Sequence, residues 1–494
     1  MATNGFGKRR VFAHKKNFDS MKGKLVVIWG LATLLFGNVT LAQKQAYQIE
    51  VKVHNFQGEA AYLGYPYGDK KYLADTAEVS NDGSFVFEGT KPLDGGLYFV
   101  YSPAPHSLYF DLIVAETHFS IETDTIDLIA NMNPTGSPEN EAFFGFQRFM
   151  RKMQKEGEKL SGQLDETEDE GEKEKLKAQL KALDEEVQAY RKKLIEDSGD
   201  LFAAKFIKST VPVEVPESPK DADGNAIDEN FGYYYYKQHF FDHVDFSDNR
   251  ILRTPLFYSK VIEYLDKMTM KHPDSISASA QDIIENARAN KEVFRYCVQT
   301  LTHKYETSNI MGMDAVFVDL AERYYLSGDA YWADDETIEK IEDRVARLKP
   351  NLIGKHAPAL LLLDTLERPV NALAIKSDYM VLYFYDPDCG HCRKKTPVLR
   401  DLYHEKLKEM GVVVVAANVK KDLDEWKEYI RKQELDVLNL ADPHTRSNFR
   451  YEYNIETTPQ VYILDDQKKI LAKKLDVEQI EDFIERQNEL KAAQ

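Results

Sequence analysis

Hydrophobic and polar residues change their period twice along this chain. Between residues 47 and 124 they alternate. Gln48-Ile-Glu-Val-Lys-Val53 puts every second side chain on one face, the spacing of a half-buried strand. Asn81-Asp-Gly83 predicts a hairpin turn into a strand at 84–88. Residues 97–101, 109–114 and 118–123 read as further strands. Together they predict a small antiparallel β-sandwich, whose aromatics are expected in the core and in cross-strand pairs.

Near Asn140 the period becomes helical. Phe146, Phe149, Met153 and Leu160 share a face, and the acidic run 165–170 interrupts it. Leu176, Leu180, Leu183, Val187, Tyr190 and Leu194 then recur at alternating spacings of four and three, a heptad seam. The simplest geometry is an antiparallel helical hairpin turning near Gly171; the alternative is an oligomerisation arm. Prolines at 212, 216 and 219 and the following Asp221, Asp223 and Asn225 mark a loop. Ala226 and Gly232 stand where a calcium loop needs Gly and Glu, which rejects that reading. Residues 231–241 are rich in aromatics and predict a packed helix. His239 and His243, one turn apart beside Asp242 and Asp245, lack the Glu of an HExxH zinc pattern and read as ordinary histidines. Helical spacing continues from 252 to 348.

From residue 351 strands alternate with helices, which predicts an α/β sheet. A hairpin is expected over 360–370, strands at 380–385, 412–416 and 460–464, and helices at 424–431 and near 478–486. After the first of these strands runs Asp386-Pro-Asp-Cys-Gly-His-Cys392, a turn followed by a helix start.

That placement carries chemistry. A thiolate is the nucleophile, and unpaired N–H groups at a helix N-terminus favour it. In CxxC motifs the thiol pKa drops from about 8.5 to roughly 3.5–7.5. Cys389 is expected at the helix start, exposed and low in pKa. Cys392, one turn further on, is expected to be buried and to resolve. His391, if protonated, adds positive charge, and Gly390 completes the spacer. A zinc site would need two more Cys or His ligands at suitable spacing. The one other cysteine is Cys297, on a helical face that reads as core, so no metal or other cofactor is expected.

With these motifs in place, the sequence resembles the thioredoxin superfamily, most closely TlpA-type envelope thiol-disulfide oxidoreductases, from about Leu352 to the C-terminus. Cys389-Gly-His-Cys392 matches the active-site motif, Pro397 the helix-kinking proline, and Thr458-Pro459 the cis-proline loop that faces the cysteines. The resemblance implies that Thr458 and Pro459 bind substrate, and that 419–442 is the insertion of TlpA-type proteins. Two positions depart from the family: Asp388 replaces the usual Trp, and Tyr383 replaces the buried acid. The fold class expected overall is multidomain α+β. Its segments are a signal peptide at 1–42, a β-rich sandwich at 43–137, a helical domain with its hairpin at 138–350 and a thioredoxin-like α/β domain at 351–494. Envelope proteins of similar arrangement carry first modules without assigned activity.

Charge and the N-terminus narrow the setting. The chain has 494 residues, enough for several packed cores, and a formal net charge of −18. Its first 42 residues carry +6, leaving −24 for the rest, which repels nucleic acid. A basic stretch, an apolar run at 25–42 and Thr40-Leu-Ala42 follow the order of a secretory signal, with cleavage expected after Ala42 and Met21 as an alternative start. Retention of the run would instead make it a membrane anchor. The localisation expected is periplasm or cell envelope.

The function expected is reduction of disulfides in envelope proteins. Its partners would be protein disulfides or dithiols and an upstream thiol-disulfide electron donor. His391 would make the couple more oxidising, Asp386 and Asp388 more reducing, and the resemblance favours reductase. A thiol peroxidase would need Thr or Ser where Asp386 stands. A different class, an envelope binding protein for a protein or glycan with a secondary redox site, predicts no turnover of a disulfide substrate.

Overall fold

The computed structural model describes residues 45–493. The expected signal segment and its cleavage point lie outside the described residues. No described helix is long and apolar enough to cross a membrane.

The alternating region forms two four-stranded sheets. β1 (Tyr47–His54), β4 (Ser84–Gly89), β7 (His118–Asp124) and β8 (Asn133–Thr135) make one, in the order β4-β1-β7-β8. β2 (Ala60–Tyr67), β3 (Lys70–Glu78), β5 (Gly96–Ser102) and β6 (Leu108–Val114) make the other, in the order β3-β2-β5-β6. Ile49, Val51, Phe87 and Ile121 of the first share a core with Leu63, Val100 and Leu112 of the second, which is sandwich packing. One pairing departs from the antiparallel expectation: β1 and β7 run parallel, from Gln48 opposite His118 to His54 opposite Asp124. Alternation fixes the face of a strand, not the direction of its neighbour. β2, with Gly64 and Pro66, was not anticipated. Pro66 lies past the three residues that pair with β5, where its missing N–H breaks no β5 bond. Gly64 leaves room for the Phe99 ring, which would lie 2.4 Å from a Cβ there.

Two long helices, α1 (Pro138–Glu166) and α2 (Glu170–Asp197), form a hairpin. Phe149 stacks on Tyr190 at 3.9 Å, and Gly157 faces Leu183, which is antiparallel register along the heptad seam. Ser137 caps the first helix and Asp169 the second through side-chain acceptors. The helical region continues through α3 (Phe202–Ser209), α4 (Phe231–His239), α5 (Pro255–Lys267), α6 (Pro273–Ala287), α7 (Lys291–Glu306), α8 (Asp314–Leu320) and α9 (Asp335–Leu348). The packed aromatic helix expected at 231–241 is corrected in part: no residue of α4 is buried, and Tyr233 and Tyr234 are exposed. Tyr233, Tyr234, Tyr235 and Tyr236 follow one another around the helix, so they cannot all face one core; Tyr236 packs against it, and Phe240 just past the helix is buried in it. His239 pairs with Asp242, and His243 Nδ1 donates to Val211 O at 3.1 Å. Cys297 of α7 is 2% exposed, and burial pushes its thiol up.

The last region is a seven-stranded sheet in the order β10-β9-β13-β12-β11-β14-β15. Its strands are β9 (Leu361–Leu363), β10 (Pro369–Asn371), β11 (Tyr379–Tyr385), β12 (Val412–Asn418), β13 (Leu438–Ala441), β14 (Gln460–Leu464) and β15 (Ile470–Lys473). Its helices are α10 (Gly390–Leu402), α11 (Leu423–Gln433), α12 (Phe449–Glu452) and α13 (Ile480–Ala492). β11 is buried along its whole length. Tyr379, Val381, Tyr383 and Tyr385 enter one core with Cys392 and Trp426, while Met380, Leu382 and Phe384 enter another with Phe449 and Tyr453. A strand covered on both faces reads as a continuous apolar run. The 419–442 stretch contributes α11 and the strand β13, which the sequence had not suggested.

Lys473, at the end of β15, fastens this sheet to the helical region. Its ammonium is 3% exposed as a residue and donates to Asn351 O and Asn351 Oδ1, both at 2.9 Å, while pairing with Asp314 at the start of α8. Burial pushes its pKa down, and Asp314 opposes that. Removing one partner of a buried pair strands the other charge. Asp314→Ala should therefore cost about 3 kcal/mol of stability in urea unfolding. A loss below about 0.5 kcal/mol would mean that the pair behaves as a surface one.

Candidate active site

The site begins where β11 ends. Tyr385 is the last buried residue of the strand, and Asp386 turns the chain: its O accepts from Cys389 N at 3.1 Å, and its Oδ1 accepts from Asp388 N at 2.8 Å. The turn delivers Cys389 to the N-cap of α10, with extended backbone angles (φ −69, ψ 121). Gly390 and His391 form the exposed first turn, and Cys392 is fully buried. Pro397 lies inside α10, as its match to the helix-kinking proline implies.

The two thiols sit in opposed environments. Burial raises the Cys389 thiol somewhat. Hydrogen bonds from the Cys392 and His391 backbone and the Thr458 side chain outweigh this and hold it below its ordinary value. For Cys392 burial dominates and pushes the thiol up to about 12, although Asp386 N donates to its Sγ at 3.5 Å. Both cysteines are free thiols here.

Facing them is the loop before β14. The Thr458–Pro459 peptide is cis, and Cys389 Sγ donates to Thr458 O at 3.2 Å. β14 pairs antiparallel with β11, placing Gln460 opposite Phe384, so the sheet itself carries the loop to the helix start. Thus the structure brings Cys389, Cys392, Thr458 and Pro459 together. His391 contributes through its backbone N–H. At Gly390 a Cβ would meet nothing within 4 Å, so space alone does not require glycine there.

Other participants, Tyr383 apart, were not singled out in the sequence. Tyr383, in the family's acid position, shares a hydrogen bond with Thr396 Oγ1 at 3.0 Å, and Thr396 with Tyr429 OH at 2.7 Å. Trp426 Nε1 donates to Tyr385 OH at 2.8 Å. Burial pushes the Tyr429 phenol up to about 12 and Tyr383 higher, so neutral hydroxyls line the floor beneath Cys392. Lys420, just after β12, stands 3.4 Å from a carboxylate oxygen of both Asp386 and Asp388. Its charge offsets the two acids expected to oppose the thiolate. The spacing of charges gave no sign of this, since Lys420 arrives through the β11–β12 pairing. Among the described residues no cluster of three or more His, Cys, Asp or Glu could hold a metal ion.

A β-strand, a CxxC helix and a facing cis-proline loop on a mixed sheet define a thioredoxin-like dithiol domain. Residues 353–473 match the AhpC/TSA family, so this C-terminal part of the chain is a thioredoxin-like domain of a redox enzyme. Residues 47–143 and 168–351 match two domain families of unknown function, DUF4369 and DUF5106. The chain is similar to Probable nucleoredoxin 1 of Arabidopsis thaliana, 27% identical over 90 residues, which are 18% of this chain and 16% of that protein. Thus the match spans about one sixth of that curated relative. Among solved structures, a domain of a possible thiol-disulfide isomerase from Cytophaga hutchinsonii is 33% identical, covering 29% of this chain and 97% of that one, with a TM-score of 0.28. A thioredoxin-like protein from Bacteroides caccae is 16% identical over 56% of this chain and 99% of that one, with a TM-score of 0.44. A thiol:disulfide interchange protein from a Bacteroides species is 23% identical over 28% and 90%, with a TM-score of 0.26.

Lys420→Met should expose Cys389 to two uncompensated carboxylates. Only the reduced form holds a thiolate, so the reduced form loses stability and the couple becomes more reducing. The equilibrium constant with glutathione should shift about two- to fivefold toward the disulfide. An unchanged constant would show that the acidic turn does not act on the thiolate.

Proposed function

We propose that this protein is an extracytoplasmic thiol-disulfide oxidoreductase that reduces disulfides of envelope proteins, with Cys389 attacking and Cys392 resolving. Two thiols one turn apart beneath Thr458-Pro459, Cys389 drawn down at the helix start and Cys392 pushed up by burial, carry this reading. The Cys389 thiolate attacks one sulfur of a substrate disulfide. The substrate S–S bond breaks, and its departing sulfur leaves as a thiolate that takes up a proton. Cys392 then gives up its proton and attacks Cys389 Sγ, releasing the second substrate sulfur. Two electrons have passed to the substrate, and Cys389 and Cys392 are left as a disulfide. An external dithiol must reduce that disulfide before the next turnover, so an upstream donor is part of the proposal.

Burial works with this order. Cys392 keeps its proton until the mixed disulfide forms, which limits premature release. Thr458 offers backbone groups, and Pro459 shapes the groove, for the peptide that flanks the attacked cysteine. The signal-like order of residues 1–42 supports a location outside the cytoplasm. The chain's acidity argues against nucleic acid as a partner.

The test is trapping in the native host. Cys392→Ala removes the intramolecular exit, so mixed disulfides with envelope proteins should accumulate and be identified by mass spectrometry. Cys389→Ala should abolish both trapping and insulin reduction, while Cys297→Ala should alter neither. Equal trapping by both active-site variants would overturn the assignment of roles. Trapped partners that are all cytoplasmic would overturn the location.

A further inference from the structure

The connection from α12 to β14 carries Thr458 and Pro459, and helical-region residues hold it at several points. Arg344 of α9 pairs with the Glu456 carboxylate and donates to Asn454 Oδ1 at 3.4 Å. One turn on, Arg347 lies 4.7 Å from the centre of the Tyr451 ring, and Tyr451 OH donates to Asp343 Oδ1 at 3.0 Å. Asn351 Nδ2 donates to Glu452 O at 2.8 Å. Within the domain, Tyr462 OH and Gln460 Nε2 both donate to Tyr453 O, at 2.6 and 3.2 Å. Those bonds fix the two ends of the loop. The contacts to Asn454 and Glu456 fix its middle, and Glu456 is two residues from the carbonyl that accepts from Cys389. Asn454 adopts a left-handed backbone, φ 45, while 2% exposed, so its conformation is held by its surroundings.

Resting on the dithiol-exchange reading above, we infer that Arg344 is a positioning residue for that reaction: the α9 helix, outside the thioredoxin-like domain, holds the Thr458 loop against Cys389. Arg suits this role because a planar guanidinium fixes direction as well as distance, and a charge-assisted bond is roughly twice as strong as a neutral one. Its pair is half exposed, with Arg344 at 23% and Glu456 at 47%, so its contribution to global stability is small. Its contribution to geometry is larger, because a displacement of about 1 Å changes whether Thr458 meets the sulfur. The region matched only to a family of unknown function thereby gains a task, that of bracing the substrate-facing loop.

The other charged and titratable groups around Cys389 stay in place when Arg344 is changed. Asp386 and Asp388 with Lys420, and His391, Cys392 and Arg393 of α10, stand on the turn and helix opposite the loop, and Glu425 of α11 lies beside Asp388. A change in Cys389 on altering Arg344 therefore reports the loop.

The experiment uses the full chain and follows iodoacetamide alkylation of Cys389 against pH, by mass spectrometry. In Arg344→Gln the contact between Cys389 Sγ and Thr458 O loosens. The alkylation midpoint should move away from the wild-type value by about half a pH unit. The paired reversal Arg344→Glu with Glu456→Arg should bring it back toward the wild-type midpoint, and Arg344→Lys should fall between. These two variants carry the test if Arg344→Gln fails to fold. A wild-type midpoint in folded Arg344→Gln, or no recovery in the reversal, overturns the proposal, even if stability falls. Insulin reduction by the unaltered chain tests the oxidoreductase reading separately, since alkylation needs no disulfide exchange.

Discussion

Everything at this site depends on holding one sulfur at a helix N-terminus against a carbonyl from a distant strand. Cys389 and Thr458 are 69 residues apart, so neither local propensity nor spacing brings them together. The antiparallel register of β11 and β14 does. It also explains why β11 is buried on both faces: the strand that positions the sulfur lies inside the sheet, between β12 and β14, with a core on each side. Hydrophobic burial thus sets the geometry, and a few hydrogen bonds set the chemistry upon it.

The electrostatics follow from position within one helical turn. At the N-cap, N–H groups without helical partners are available to the sulfur. One turn in, those groups are used by the helix, and the surroundings are Tyr383, Tyr385, Tyr429 and Trp426. The floor is polar yet uncharged, a chain of phenols joined through Thr396. Such hydroxyls satisfy one another in the core without the cost of an ionised carboxylate. The acidic turn ahead of Cys389 would work against the thiolate, and Lys420 offsets it from a neighbouring strand end. The departures from the family pattern at Asp388 and Tyr383 are therefore each met by a compensating partner.

What was legible in the sequence is what depends on local period and spacing. The apolar run of β11, the CxxC turn, the Thr-Pro pair and the heptad seam of α1 and α2 all have short-range signals. The parallel pairing of β1 with β7 had none, because alternation is blind to direction. β2 was masked by Gly64 and Pro66, which serve an aromatic ring and an unpaired edge. β13 was hidden by its length of four residues. At the site, the cysteines and their loop were legible, while Lys420, Thr396 and Tyr429 were not, because their roles arise only when strands pair and helices pack. Arg344 and Glu456, 112 residues apart, look like ordinary surface charges until the helical region is folded against the sheet.

The central claim is that the helix start stabilises the thiolate of Cys389, the sulfur that the register of β11 and β14 brings to the Thr458 loop. The most direct measurement is the ultraviolet thiolate absorbance of the Cys392→Ser chain, titrated against pH. The Ser hydroxyl keeps a donor at that position, and buried Cys297 remains protonated through the range. The account predicts a single transition with its midpoint below the value of about 8.5 of a free cysteine. A midpoint at or above that value would contradict it.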